Sequence, residues 1–145
     1  MDYRAAFQIS ASGMSLERTR LDITSMNIAN MHATRGADGK LFRPLRVVAQ
    51  PATTPFASTL EAFAGAEPRG VQVTAIEELD VAPRSVYEPG HPDADDKGHV
   101  AYPGVDHVRE MVTVMSAVRA YEANVVAMNA AKSMAAKALE IGGNS

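Results

Sequence analysis

Two long segments, one at each end of the 145-residue chain, are patterned for helix and constrain everything between them. From Tyr3 to Asn30 there is no proline, and the only glycine is Gly13. Two apolar heptad rows run through this segment: Phe7, Met14, Leu21 and Ile28, and then Ile9, Leu16 and Ile23, offset by two residues. At ~100° per residue the rows lie ~160° apart, on nearly opposite faces of one helix. A single intramolecular partner covers only one of them. The second segment opens at Asp106, an N-cap residue, with Glu110 in the first turn at the positive end of the helix dipole. Met111, Val114, Val118, Tyr121, Val125 and Met128 continue an a/d pattern, Lys132 interrupts it, and Ala135 and Leu139 resume it before "GGNS" is expected to end the helix. At ~1.5 Å per residue the helices extend ~40 and ~50 Å, more than a compact domain of this size holds. The expected molecule is elongated, with its two ends brought together.

The middle has a different character. Turn signals such as "GADGK", "EPRG", "EPGHPDADDKG" and "YPG" separate short strand-like runs, of which Leu45 to Ala49, Val71 to Ile76 and Arg84 to Tyr87 are the best. Pro44 and Pro83 suit strand starts or edges. The Ala/Pro/Thr tract at 51–69 reads equally as a mobile excursion or as a loop with a short helix near Thr59 to Ala64. The reading is α+β in three parts: a helix over 1–30, a β and loop insert over 31–105, and a helix over 106–145.

Several function classes are disfavoured. Cysteine is absent, so there is no disulfide framework, thiol nucleophile or Cys-ligated metal. A pI near 5.8 gives no basic footprint for nucleic acid and no polybasic membrane anchor. Neither a signal peptide nor a run of ~18 apolar residues is present, which predicts a cytoplasmic chain or one exported without a cleaved signal. Asp93, Asp95 and Asp96 resemble the opening of a calcium loop, but Lys97 holds the third ligand position and Gly104 stands where the bidentate Glu belongs. His32, His91, His99 and His107 fall on loops or at a helix start, with no metal-binding pair. There is no G-x-S-x-G elbow and no P-loop, so neither an enzyme nor a cofactor is expected. By count each terminal helix is charge-balanced, which lets like neighbours associate without repulsion.

Asn27, Asn30, Asn124 and Asn129 stand out as polar residues within or ending helix-forming runs. For Asn30 the plain reading is a left-handed C-cap, and for the others solvent exposure. For Asn27 and Asn124 a role in setting register between packed helices competes evenly with it.

"SGMSLERTRLDITSMNIANMHATR" resembles the N-terminal signature of axial proteins of the bacterial flagellum, in which a helix ends in Asn-x-Ala-Asn followed closely by Thr. "GVQVTAIEE", "VYEPGHPDADDKGHVAYPGVDHVREMVTVMSAVRAYEANVVAMNAAKSM" and "KALEI" are similar to the proximal-rod proteins of the flagellar basal body, over about 8–50 and 70–141. "MHATRG", Gly104 and Val118 depart from the family pattern, and the tract at 51–69 lies outside it. The resemblance implies that the terminal helices pair as an antiparallel coiled coil and that many copies pack around the rod channel. It implies type III export without signal cleavage, and partners among rod proteins of the FlgB, FlgF and FlgG kinds and the adaptor FliE. Ile9, Met14, Leu16, Leu21, Ile23 and Ile28 are then expected as the two faces of the first helix, and Met111, Val114, Val118, Tyr121, Val125 and Met128 as the seam of the second. Asn27 and Asn30 are expected to close the first helix and bond to neighbouring chains, and Asn124 to set register. The rival readings are a cytoplasmic helical adaptor or chaperone, and a small hydrolase using the Asp-rich loop with His91 or His99.

Overall fold

A computed structural model describes residues 3–36, 39–52 and 70–143. The order is α1 (Tyr3–Asn30), β1 (Leu45–Pro51), β2 (Val71–Glu78), β3 (Arg84–Tyr87), β4 (His99–Tyr102) and α2 (His107–Gly143), an α+β arrangement with small antiparallel sheets between two long helices. Asp106 caps α2 through its side chain, Oδ1 accepting the N–H groups of Val108 at 3.0 Å and Arg109 at 3.3 Å. The expected tract at 51–69, with its alternative short helix, lies almost wholly outside the described residues.

Two helix ends differ from expectation. Asn30 is not a left-handed cap, because no described non-glycine residue has positive φ. Its Nδ2 instead donates to the Met26 carbonyl at 2.8 Å, so the side chain satisfies the last turn while the backbone stays helical. At the other end α2 continues through Gly142 and Gly143, neither of which takes the positive φ that a glycine stop requires.

The helices run antiparallel. Asn27 meets Glu110 at one level, and Gly13 meets Asn124 two heptads further along, so ascending α1 means descending α2. The residues that close this seam are small or polar. On α1, Ser10, Glu17, Thr24 and Asn27 are buried, and on α2 the buried residues are Ala117 and Ala131, in heptad step with Glu110 and Asn124. The row predicted through Met111, Val118 and Val125 therefore sits one residue beside the seam: Ala117 is 1% exposed and Val118 39%. A pattern reading assigns the largest apolar side chains to the partner, whereas glycine and alanine let backbones approach closely and turn the larger neighbours outward. Lys132 interrupts nothing, because the seam passes through Ala131 next to it. In the other row of the predicted pattern Val114, Met128 and Ala135 are half-buried and Tyr121 is exposed.

β1 and β2 pair from Leu45 opposite Glu78 to Pro51 opposite Val71, with a bulge at Val48/Ala49 where Thr74 donates its hydroxyl to the Val48 carbonyl. This hairpin lies along α1, held at both ends. Leu45 is fixed to Asn27, and Val71 donates its N–H to Ser12 Oγ at 3.1 Å. A seven-residue strand spans ~23 Å, and the helix from Ser12 to Asn27 rises ~22 Å, so strand and helix match in length. Gly70, at φ 93°, lies against Ser12 and Ile9 where any Cβ would collide. Ile23 and Leu16, on the same row as Ile9, are buried. β3 pairs with β4, a strand missed in the sequence because its four residues follow a long turn. Val100, Tyr102 and Pro103 are buried there.

An ordinary Gly→Ala change in a helix stabilises by ~1 kcal/mol. Gly13→Ala is expected to lose that gain, since the new methyl would lie 2.7 Å from Asn124 Oδ1. Adding Asn124→Ala should restore it, and thermal unfolding of the two variants checks this double-mutant coupling.

Candidate functional site

Among the described residues, Asn27 is the polar side chain that joins three elements. Only 2% exposed, it sits where α1 ends, β1 begins and α2 starts. Its Oδ1 accepts the Leu45 N–H at 2.8 Å, and its Nδ2 donates to the Leu45 carbonyl at 2.9 Å and to Glu110 Oε2 at 3.3 Å. The amide thus imitates one rung of a β-ladder while also binding the first turn of α2. The sequence reading expected these bonds to reach neighbouring chains; Asn27 spends them within its own. Asn124, half-buried, donates to the Ala120 carbonyl at 2.8 Å and fills the space over Gly13.

Nearly three turns before Asn27 on α1, Glu17 is buried and held by Arg20 Nη1 at 3.0 Å, one turn further along the helix. Below the junction the "MHATRG" loop is fastened to the Asp-rich loop. Thr34 Oγ1 donates to Asp93 Oδ2 at 2.8 Å, and Arg35 Nε lies 3.1 Å from Asp93 Oδ1. Asp95 folds its own loop, Oδ1 accepting the N–H of Lys97 at 2.9 Å and of His99 at 2.8 Å. Its carboxyl is held below the usual range, first by the His99 N–H, with desolvation opposing and the Lys97 N–H and His99 charge adding. Two of the carboxylates that resembled a calcium loop are thus committed to protein groups. Tyr102 donates its hydroxyl to Glu88 Oε2 at 3.0 Å, which raises the phenol above its ordinary value, with desolvation adding. Sequence reasoning missed Ser12, Thr34 and Arg35, whose partners lie far along the chain, and Glu17, whose partner Arg20 is one turn away but whose burial no spacing rule gives.

The structure divides the predicted packing residues. Leu16, Ile23 and Asn27 are buried, with Ile9 half-buried in the same row. Met14, Leu21 and Ile28 on the opposite row are half-buried, as is Asn30. On α2, Val114, Asn124, Val125 and Met128 are half-buried, and Met111, Val118 and Tyr121 are exposed. Val108, Val112 and Met115 are exposed as well, extending Met111 and Val118 into an apolar stripe along the first three turns. Among the described residues no helix is long and apolar enough to cross a membrane.

A long helix pair that clamps a small β insert, closes its seam with small residues and leaves large ones uncovered presents apolar surface for packing against neighbours, as a structural subunit does. Residues 7–37 match the family described as flagella basal body rod protein, and residues 96–141 match the flagellar basal body rod FlgEFG protein C-terminal family. The chain is 42% identical over 144 residues to the flagellar basal-body rod protein FlgC of Bacillus subtilis (strain 168), covering 94% of this chain and 96% of that one. It is 40% identical over 136 residues to FlgC of Escherichia coli O6:H1, covering 94% and 95%, and 38% identical over 136 residues to FlgC of Salmonella typhimurium, with the same coverage. The chain belongs to the FlgC family of flagellar basal-body rod proteins. It is a structural rod component.

Asn27→Ala leaves the Leu45 backbone groups and the Glu110 carboxylate without their partner, and is expected to cost about 3 kcal/mol in urea unfolding. Because the Asp95 carboxyl is depressed on folding, its contribution is present above the unfolded carboxylate range of about 4 and lost as pH falls through the lower folded value. The Lys97 and His99 amide resonances should shift together over that acid window, and Asp95→Asn should abolish the shift.

Proposed function

We propose that the chain polymerises with other rod proteins, of the FlgB, FlgF and FlgG kinds, into the hollow driveshaft that carries motor torque to the hook, without catalysis or a bound cofactor. The observation carrying this reading is the uncovered apolar stripe Val108, Met111, Val112, Met115 and Val118 on a helix whose own seam is closed by alanine and asparagine. Burying each such side chain against a neighbour stabilises by ~1.5–3 kcal/mol, and many such contacts resist twist without any single strong bond. On α1 the half-covered row Met14, Leu21 and Ile28 is the second intersubunit face.

Within each subunit the helices 1–30 and 106–145 form one coiled-coil domain, and the insert 31–105 projects from it. The antiparallel register, with Gly13 over Asn124 and Asn27 over Glu110 two heptads apart, supports knobs-into-holes pairing. The chain reaches the periplasm-spanning rod through the flagellar type III apparatus with no signal peptide removed, and meets the adaptor FliE at the rod base. A cytoplasmic adaptor is disfavoured by the family, and a hydrolase by the commitment of Asp93 and Asp95 to groups of the protein itself.

Two substitutions one residue apart separate the internal seam from the external face. Val118→Glu, at a 39% exposed position, is expected to leave the monomer folded and to abolish swimming, since a charge there costs several kcal/mol per subunit contact. Ala117→Glu, at a position 1% exposed, is expected to unfold the helix pair itself. Deletion of the gene, with plasmid restoration, should remove rods and hooks in electron micrographs. A swimming strain carrying Val118→Glu would overturn the external-face assignment, and intact flagella in the deletion strain would overturn the rod reading.

A further inference from the structure

The apolar stripe at the start of α2 is not chemically uniform, because two of its five residues are thioethers. Met111 and Met115 are 42% and 55% exposed, set among the exposed valines Val108, Val112 and Val118. One turn apart, they lie ~40° from each other around the helix and ~6 Å along it, so both sulfurs belong to one face. Among the other described methionines, Met14, Met31 and Met128 are half-buried, while Met26 and Met134 are exposed outside this stripe. The chain has no cysteine, so none of its own thiols intercepts an oxidant before these sulfurs.

We propose that Met111 and Met115 form an oxidation site for hydroperoxides, and that their sulfoxides make the free subunit unable to assemble. A lone pair on sulfur attacks one peroxide oxygen, and an S–O bond forms as the O–O bond breaks. The hydroxide released takes the proton of the transferred oxygen and leaves as water; sulfur is oxidised and the peroxide reduced. The product places a polar oxygen on a face whose burial against a neighbour requires apolar surface. Because the internal seam runs through Ala117 and Ala131 instead, the oxidised subunit keeps its own fold. Once a neighbour covers the stripe the sulfurs are shielded, so the sensitivity belongs to the subunit before assembly. Enzymatic reduction of the sulfoxides restores the thioethers and makes the block reversible. This deepens the assembly reading above and rests on it.

Purified full-length chain is treated with hydrogen peroxide and digested, and the methionine peptides are weighed over time. Met111 and Met115 should gain one oxygen several-fold faster than Met14 and Met128, with the helical circular dichroism signal unchanged when those two are oxidised. Equal rates at all of these positions, or loss of helix at that stage, would overturn the site. In a deletion strain glutamine imitates the sulfoxide: Met111→Gln with Met115→Gln should build about tenfold fewer rods than the unmodified chain, and Met111→Leu with Met115→Leu as many. The purified glutamine pair should be as helical as the unmodified chain, and an unfolded one would overturn the proposal. Rods restored equally by the glutamine pair and the unmodified chain would reject the assembly block and leave the rod reading intact. Rods present in the deletion strain itself would reject the rod reading, while the oxidation rates would still establish the site.

Discussion

The rest of the fold depends on one buried amide. Asn27 is bonded to both backbone groups of Leu45 and to the Glu110 carboxylate, so the end of one helix, the start of a strand and the start of the other helix share one point. From there the β1–β2 hairpin runs back along α1 to Ser12, where the Val71 N–H fixes its other end. Two polar anchors separated by matching lengths of helix and strand set the hairpin's position, and Glu110 sets the axial position of α2. A buried polar group without its partners is costly, which makes such a junction specific: shifting either helix by one turn would strand the amide.

The seam above that junction follows a consistent division of labour. Residues that touch within the chain are Ser10, Gly13, Glu17, Thr24, Ala117, Asn124 and Ala131, while Met111, Val118, Val108 and Met115 stay at the surface. Small residues bury little apolar area, so this helix pair takes register from its seam more than stability. The larger side chains retain their hydrophobic free energy for contacts the isolated subunit does not make. In the proposed rod this links folding to assembly, because a helix stabilised mainly by tertiary packing gains most when a neighbour covers its apolar face.

Much of this was legible in the residues, to different degrees. The span Tyr3–Asn30 and the Asp106 cap followed from proline absence and capping chemistry, and β1, β2 and β3 from short apolar runs between turn signals. These are local rules, and here they held locally. The seam was misplaced by one residue because heptad reading ranks positions by side-chain size, and at Ala117 and Gly13 the closest approach belongs to the smallest residues. Asn27 was marked as anomalous, but its partners lie 18 and 83 residues away in the chain, and no spacing rule points to them. β4 escaped for a related reason: four residues pair with β3 only because Asp95 folds the intervening loop.

Substitution patterns at the two sites should therefore differ in kind. At Asn27 one amide serves acceptor and donor roles toward three elements, and aspartate, lacking the donor and repelling Glu110, is no substitute. Along Val108, Met111, Val112, Met115 and Val118 the requirement in the proposed rod is apolar area matched to a neighbour, which several residue types meet. In the proposed rod, polar specificity inside the subunit would hold one internal fold while the apolar stripe outside adapts to whatever neighbour covers it.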